Sequence, residues 1–307
     1  MKNSYSLIAI FIMLLFGFAG KAQQQAYHYG LDGNAFAWNP AMAGKYDYLS
    51  VGAAFHQPWS GFEGAPAQLS AFFEFPITLN KAGGGFAVTA EEIGASRMLA
   101  MTAAFNYKLR FGHRGRRQLS VGLAARYSRL DVRLPKAIVN APDDPLIGLS
   151  RNAYKDFNVG VGLFFTNDYN YFTRNLLFAG LAVNPAIPYV PEGKISPVIH
   201  ASLLAGASLK FDNDSWFFEP VLWMDYSFEN LFYPQLSLKL ERDLYYWLRL
   251  QVAPNSIAPG FGYMIRLGGN TQIRVSVSGR FFFGRLSAYV RRGMDGAVVY
   301  RSQPGYY

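Results

Sequence analysis

The sequence predicts an all-β chain: a transmembrane antiparallel outer-membrane β-barrel of about fourteen strands. Three observations predict it. Apolar and polar residues alternate strictly in segments of about ten residues, longer than a usual strand of about five or six. The polar face of those segments carries charge. No apolar run beyond residue 22 reaches the length of about 18 residues that a spanning helix needs.

Composition points the same way. Hydrophobic residues make up 51% and aromatics 17%, yet mean hydropathy is only +0.05. That is apolar for a soluble protein and too polar for a helical membrane protein. The 30 glycines and 20 tyrosines favour β structure, since aromatics fit a pleated surface and glycine suits turns and close approach. Cysteine is absent, which excludes a disulfide framework, a thiolate metal site and a cysteine nucleophile. His28, His56, His113 and His200 lie too far apart for a metal-ligand spacing.

Residues 1–22 read as a secretory signal peptide. Met1-Lys2-Asn3 gives a positive start, Leu7 to Phe18 an apolar run, and Gly20-Lys21-Ala22 a small-x-small cleavage site. Cleavage after Ala22 removes Lys2 and Lys21 and no acid, so the charge falls from +9 to +7.

Residues 23–46 form an N-terminal arm. They carry Tyr27, Tyr29, Phe36 and Trp38, then Asn39-Pro40-Ala41-Met42-Ala43-Gly44. An asparagine-proline step favours a turn, and the alanines and Gly44 allow close packing. Too apolar for a free tail and too irregular for a strand, the arm suits a plug folded into the lumen. An ordinary ordered arm is the alternative.

Residues 47–307 form the barrel with a short C-terminal tail. In Thr271–Gly284, Ile273, Val275, Val277, Phe281 and Phe283 share one face; Gln272, Arg274, Ser276, Ser278 and Arg280 share the other. Leu119–Tyr127, Leu236–Leu240 and Trp216–Tyr226 alternate likewise. The polar face holds Arg110, Arg126, Arg249, Arg266, Arg274, Arg280, Lys239, Glu74, Glu219 and Asp225, as a wet lumen would. The even strand count fits a bacterial outer-membrane barrel.

The connections set an orientation. Tight turns are read at Phe211–Ser215, Glu241–Leu244 and Gly268–Asn270. Long gaps are read at 56–67, 131–155 and 184–197. The long gaps follow odd segments and the tight turns follow even ones. Short turns then face the periplasm and long loops the exterior, with 131–155 the largest external feature. In the first external loop Pro58, Gly61, Gly64 and Pro66 fix the path, while Trp59 and Phe62 supply an interfacial anchor or a partner contact. Leu286–Val290 resembles a closing strand. Otherwise the last strand lies near Ala297–Arg301.

Motifs that would carry chemistry fail on inspection. Gly83-Gly84-Gly85 lacks the Lys-Ser/Thr of a phosphate loop and reads as a turn. Glu91 and Glu92 are adjacent, so on a strand they point to opposite faces and cannot flank one bond. Gly112–Gln118 is a basic cluster. In an exported chain it is a periplasmic turn, not a nucleic-acid site, and Arg114, Arg116 and Arg117 are candidate contacts for lipid headgroups or an acidic partner. No catalytic set, metal site or cofactor site is read.

Two clusters carry a family resemblance. Asn39, Pro40, Ala41 and Gly44, followed by Trp59, Gly61, Gly64, Ala65 and Pro66, resemble the N-terminal pattern of the PorP/SprF family, outer-membrane proteins of the type IX secretion and gliding systems of Bacteroidetes. That pattern runs approximately N-P-A-x-x-G, then R-x-Q-W-x-G-x-x-G-A-P. His56 stands where arginine is usual and Pro58 where glutamine is usual. The tail after Arg292 departs from the usual ending in a barrel strand. The resemblance implies a barrel of the fatty-acid-transporter (FadL-like) type, with an N-P-A step in an N-terminal plug, in the outer membrane of a Gram-negative bacterium. It implies a non-enzymatic role, with periplasmic ring lipoproteins and a peptidoglycan-binding protein as partners, or else a large surface adhesin. A FadL-like or porin-like channel for small solutes is the competing reading. There the lumen arginines would favour anions.

Overall fold

Alternation of side chains governs the whole chain. The computed structural model describes residues 34–46, 48–60, 63–79, 81–132, 152–168, 175–189, 199–211, 216–227, 231–242, 245–268, 271–283 and 292–302. The signal peptide, residues 23–33, Gly61, Phe62, the bulk of the 131–155 loop and Leu286–Val290 lie outside the described residues.

Fourteen strands follow in chain order: β1 (Leu49–Gln57), β2 (Ala67–Thr78), β3 (Ala82–Ile93), β4 (Ser96–Phe111), β5 (Arg117–Val132), β6 (Asn152–Thr166), β7 (Asn175–Tyr189), β8 (His200–Lys210), β9 (Trp216–Ser227), β10 (Leu231–Arg242), β11 (Tyr246–Ala253), β12 (Ser256–Gly268), β13 (Thr271–Phe282) and β14 (Arg292–Ser302). Each pairs antiparallel with its sequence neighbours. β14 returns to β1, from Leu49↔Ser302 to Gln57↔Met294, and closes the barrel. Closure leaves no open edge, which is what a spanning sheet requires.

The faces are inverted relative to a water-soluble protein. On β4, Leu99, Met101, Phe105 and Tyr107 point outward and are exposed, while Ala100, Thr102, Asn106 and Lys108 point inward and are buried. On β13, Val275, Val277 and Phe281 are exposed and Arg274 and Arg280 are buried. An exposed apolar band of this extent is stable against lipid rather than water. Among the described residues no helix is long and apolar enough to cross a membrane; the strands do the crossing.

The four longest connections, 58–66, 133–151, 190–199 and 283–291, all leave the same rim. The short connections 79–81, 211–215 and 269–270 lie on the other.

The closing strand decides between the two sequence readings. β14 runs from Arg292 to Ser302 and includes Ala297–Arg301, so residues 293–302 belong to the barrel rather than to a tail. Met294, Val298 and Tyr300 face outward; Asp295, Val299 and Arg301 face inward. Gly293 and the Asp295-Gly296 step read locally as turn signals. Tertiary pairing overrides them: Gly296 lies opposite Phe55 and Val277, and Asp295 finds buried partners. Gly83-Gly84-Gly85, read as a turn, likewise lies inside β3.

Candidate functional site

The buried core lies inside the barrel, around residues 34–46. One cluster joins Ala35, Ala41 and Met42 to Phe164, Leu176, Phe178, Leu204, Val221 and Trp223. A second joins Phe36 and Ala43 to Phe72, Ala87, Ala104, Ala124 and Val299. Trp38 stacks obliquely on Trp223, with ring centroids 4.1 Å apart.

The Asn39-Pro40 step starts a short 3-10 turn, Pro40–Met42. Proline suits the first position because it lacks the N–H that would otherwise go unmet. The Ala41 N–H donates to Asn39 Oδ1 at 3.0 Å. Asn39 Nδ2 donates to the Leu163 carbonyl of β6 at 3.1 Å. One side chain therefore caps its own turn and fastens it to the wall.

The wall admits this backbone because it lacks side chains at the contact. A Cβ on Gly162 would overlap Asn39 Oδ1, and one on Gly122 would overlap the Pro40–Ala41 peptide. The glycines of β3 serve the same contact: Gly83 lies under the Ala43 carbonyl and Gly85 under the Phe36 ring.

Buried peptide groups need partners, and wall side chains supply them. Asn106 Nδ2 donates to the carbonyls of Ala41 at 2.8 Å and Ala43 at 2.7 Å. Its Oδ1 accepts from the Gly83 N–H at 2.8 Å. Lys108 Nζ donates to the Gly44 carbonyl at 2.7 Å, and the Gly44 N–H donates to Glu74 Oε2 at 3.1 Å. Gly44 has φ +56°, a left-handed conformation that favours glycine. Asn184 Nδ2 donates to the Trp38 carbonyl. Alternation alone does not single out Asn106, Lys108, Gly122 or Gly162. The signal for Asn106, Gly122 and Gly162 is the presence of small or amide residues at inward positions of β4, β5 and β6.

The other side of the lumen is ionic. Lys239 Nζ lies 3.2 Å from Glu219 and 3.1 Å from Glu241. Arg274 donates to both Glu241 oxygens at 3.1 and 3.0 Å, and its guanidinium stands 4.2 Å over Trp247. Near the rim of the long connections, His56 Nδ1 meets Asp295 Oδ1 at 2.5 Å. Ser278 and Arg280 donate to Asp295 Oδ2 at 3.1 and 3.4 Å, and Arg280 reaches Ser256 at 3.3 Å. On the same face Glu74, Arg126, Glu219 and Arg249 are half-buried. Lys239, Arg274, Arg280 and Asp225 are buried and bonded to protein partners, while Arg110 and Arg266 are exposed at the opposite rim. Trp247, Arg249, Gln251, Ser276, Ser278 and Asp295 line a partly open cavity of about 30 Å³, large enough to admit water.

The first loop holds the barrel seam. Ser60 donates to the Arg292 carbonyl from both its N–H, at 2.9 Å, and its Oγ, at 3.0 Å. Pro58 and Pro66 are buried, and Trp59 and Ala65 are half-buried. Gly64, with φ +76°, accepts the Gly94 N–H at 2.9 Å and so ties the loop to the β3–β4 turn.

The basic turn does not present three equivalent arginines. Arg114 and Arg117 are exposed. Arg116 Nη2 donates to Asp168 Oδ2 at 2.6 Å and binds the β4–β5 turn to the β6–β7 turn. Glu91 is half-buried on the lumen face, while Glu92 points outward and pairs with Arg97 at 3.4 Å. Among the described residues no group of three or more His, Asp or Glu is placed to hold a metal ion.

Comparison with known proteins adds the following. The family profile described as "Type IX secretion system membrane protein PorP/SprF" matches residues 20–290. No curated protein matches in sequence. Among solved structures, the chain is similar to the CymD monoaromatic hydrocarbon channel, with TM-score 0.58 and 11% identity over 96% of this chain and 97% of that one. It is similar to the toluene transporter TbuX of Ralstonia pickettii, with TM-score 0.57 and 14% identity over 92% and 96%. A mutant of the TodX monoaromatic hydrocarbon channel follows, with TM-score 0.54 and 12% identity over 87% and 93%. At these identities the likeness concerns the fold alone.

Proposed function

The chain belongs to the PorP/SprF family of type IX secretion system membrane proteins, and from that premise we propose that it is a non-enzymatic outer-membrane scaffold whose lumen is sealed by its own N-terminal segment. One observation carries the reading: Asn106 and Lys108 spend their buried donors on the carbonyls of Ala41, Ala43 and Gly44. Displacing the segment would break those bonds and the one from the Gly44 N–H to Glu74, at about 0.5–1.5 kcal/mol for each neutral bond and about 1.5–3 kcal/mol for each bond to a charged group. A segment held this way is a fixed part of the wall, not a gate.

The scaffold presents two surfaces. The rim of short turns carries Arg114 and Arg117, suited to an acidic periplasmic partner such as a ring lipoprotein or a peptidoglycan-binding protein. The opposite rim carries the long connections, where a surface adhesin would be held. Export through a signal peptide at residues 1–22 delivers the chain to that site.

The channel reading has one support, the fold shared with hydrocarbon channels. It requires a continuous path that the buried ion pairs of β9–β14 and residues 34–46 would both have to vacate. The test is deletion of residues 23–44 with planar-bilayer conductance measured against the full-length protein. A closed full-length barrel and a conducting deletion variant support the sealed scaffold. Large, equal conductance in both overturns it. A null strain that retains secretion cargo in the periplasm supports the secretion role. A null strain that exports cargo normally but takes up solutes less well overturns that role.

A further inference from the structure

Among the described residues, the outer wall carries a patch with more cations than carboxylates. At the rim of the long connections, Arg97 of β4, Arg129 of β5 and Lys155 of β6 all stand on the outward face. Arg129 lies directly opposite Lys155 in the ladder. Like charges in that position repel, their Cβ atoms about 5 Å apart. Arg129 is met by Asp131 at 3.0 Å and Arg97 by Glu92 at 3.4 Å. Lys155 is exposed and has no carboxylate partner among the described residues.

The surface one step toward the membrane centre is apolar. Tyr127 lies opposite Phe157 and Met101, and Leu99 lies opposite Arg129. All four of these apolar side chains are exposed. Aromatics capped by cations mark the level where acyl chains give way to headgroups.

We propose that Lys155, Arg129 and Arg97 bind the phosphate of an anionic lipid headgroup, whose acyl chains lie along Leu99, Met101, Tyr127 and Phe157. Lys155 supplies a charge that no carboxylate among the described residues meets, and the phosphate relieves its repulsion with Arg129. The inference rests on reading this face as lipid-facing, but not on the secretion role.

The test uses full-length protein in a nonionic detergent and follows lipid retention by native mass spectrometry. The probes are phosphatidylglycerol, phosphatidylcholine with the same acyl chains, and inorganic phosphate. Phosphatidylglycerol is expected to be retained selectively, and millimolar inorganic phosphate should not displace it. Lys155→Gln should weaken retention about fivefold. Lys155→Glu should abolish selectivity and, in lipid-free detergent, raise the unfolding temperature, because Arg129 gains an opposite charge. Lys81→Gln, an exposed cation at the other rim, should change nothing. Unchanged phosphatidylglycerol binding in Lys155→Glu, an equal loss in Lys81→Gln, or displacement by inorganic phosphate would each overturn the site. Failure of the wild-type chain to insert into phosphatidylcholine vesicles would count against the membrane reading itself. Insertion with unselective lipid uptake would count against this site only.

Discussion

Lys108 and Glu74 grip opposite faces of one residue: the lysine donates to the Gly44 carbonyl and the carboxylate accepts the Gly44 N–H. Neither reaches Gly44 by sequence proximity. They come from β4 and β2, on either side of β3, and meet at the point where residues 34–46 approach β1.

Removing this grip should loosen the segment before it unfolds the barrel. Asn106→Ala leaves the carbonyls of Ala41 and Ala43 and the Gly83 N–H without their partner, at about 1–3 kcal/mol each. The variant should still insert and show heat-modifiable mobility on gels. Protease cleavage in residues 34–46 should become faster. Cleavage as slow as in the parent would show that Asn106 does not hold the segment.

The glycine contacts give a steric test. Gly162→Val and Gly122→Val drive a side chain into Asn39 and the Pro40–Ala41 peptide, and overpacking of this kind costs about 1–3 kcal/mol or more. Gly279→Ala meets only an ordinary contact with Phe281 and serves as the control. Comparable thermal stability in all three would mean the segment does not lie against β5 and β6.

The outward register can be read from a single strand. Val277 is 58% exposed on β13, so Val277→Arg places a charge in hydrocarbon at about 2–4 kcal/mol near the midplane. Val277→Leu should fold into vesicles like the parent. Ser276 is half-buried on the lumen face beside a partly open cavity, so Ser276→Arg should cost far less than Val277→Arg. Equal folding yields for Val277→Arg and Val277→Leu would refute the register.

His56 and Asp295 test the seam. They join the first and last strands, so a double-mutant cycle of His56→Ala and Asp295→Ala should show a coupling of about 0.5–3 kcal/mol. Asp295→Ala alone should be the more damaging, since Arg280 and Ser278 also depend on that carboxylate. Additive effects would mean that the pair contributes nothing to closure.

Reversal of the basic turn should separate its arginines. Arg114→Glu with Arg117→Glu should reduce copurification of a periplasmic partner, with the loss greatest at low salt. Arg116→Glu should instead destabilise the turn, since it sets two carboxylates together at Asp168. Partner recovery that is the same in all variants and at all salt concentrations would exclude this rim as the contact.

The strands were legible where inward and outward positions differ in polarity, as on β13, and less so on β6 to β9, whose inward face carries Phe164, Phe178, Leu204 and Trp223. β13 reads correctly from Ile273 to Phe281 without any neighbour in view. The β14 strand was harder, because Asp295 and Gly296 are turn residues locally and become strand residues only beside His56 and Val277. The lumen network was harder still. Asn106 and Lys108 are ordinary inward polar residues of β4. Their partners lie more than sixty residues away, a distance that no local period encodes. The arginines of the polar face suggested water because sequence shows which face a charge takes but not what stands across the lumen from it.

The closed ring of strands also imposes an order of events. Residues 34–46 precede β1 in the chain, yet they are enclosed by strands that finish with β14. Once β14 pairs with β1, the interior is reached only through the two rims. If the segment seals the lumen as proposed, it is expected to be seated while the sheet is still open, with β2 to β9, which supply its buried contacts, curling round it as round a mandrel. On this account the segment supplied as a separate peptide rescues a deletion variant only when it is present during refolding, and never when it is added to a barrel already shut.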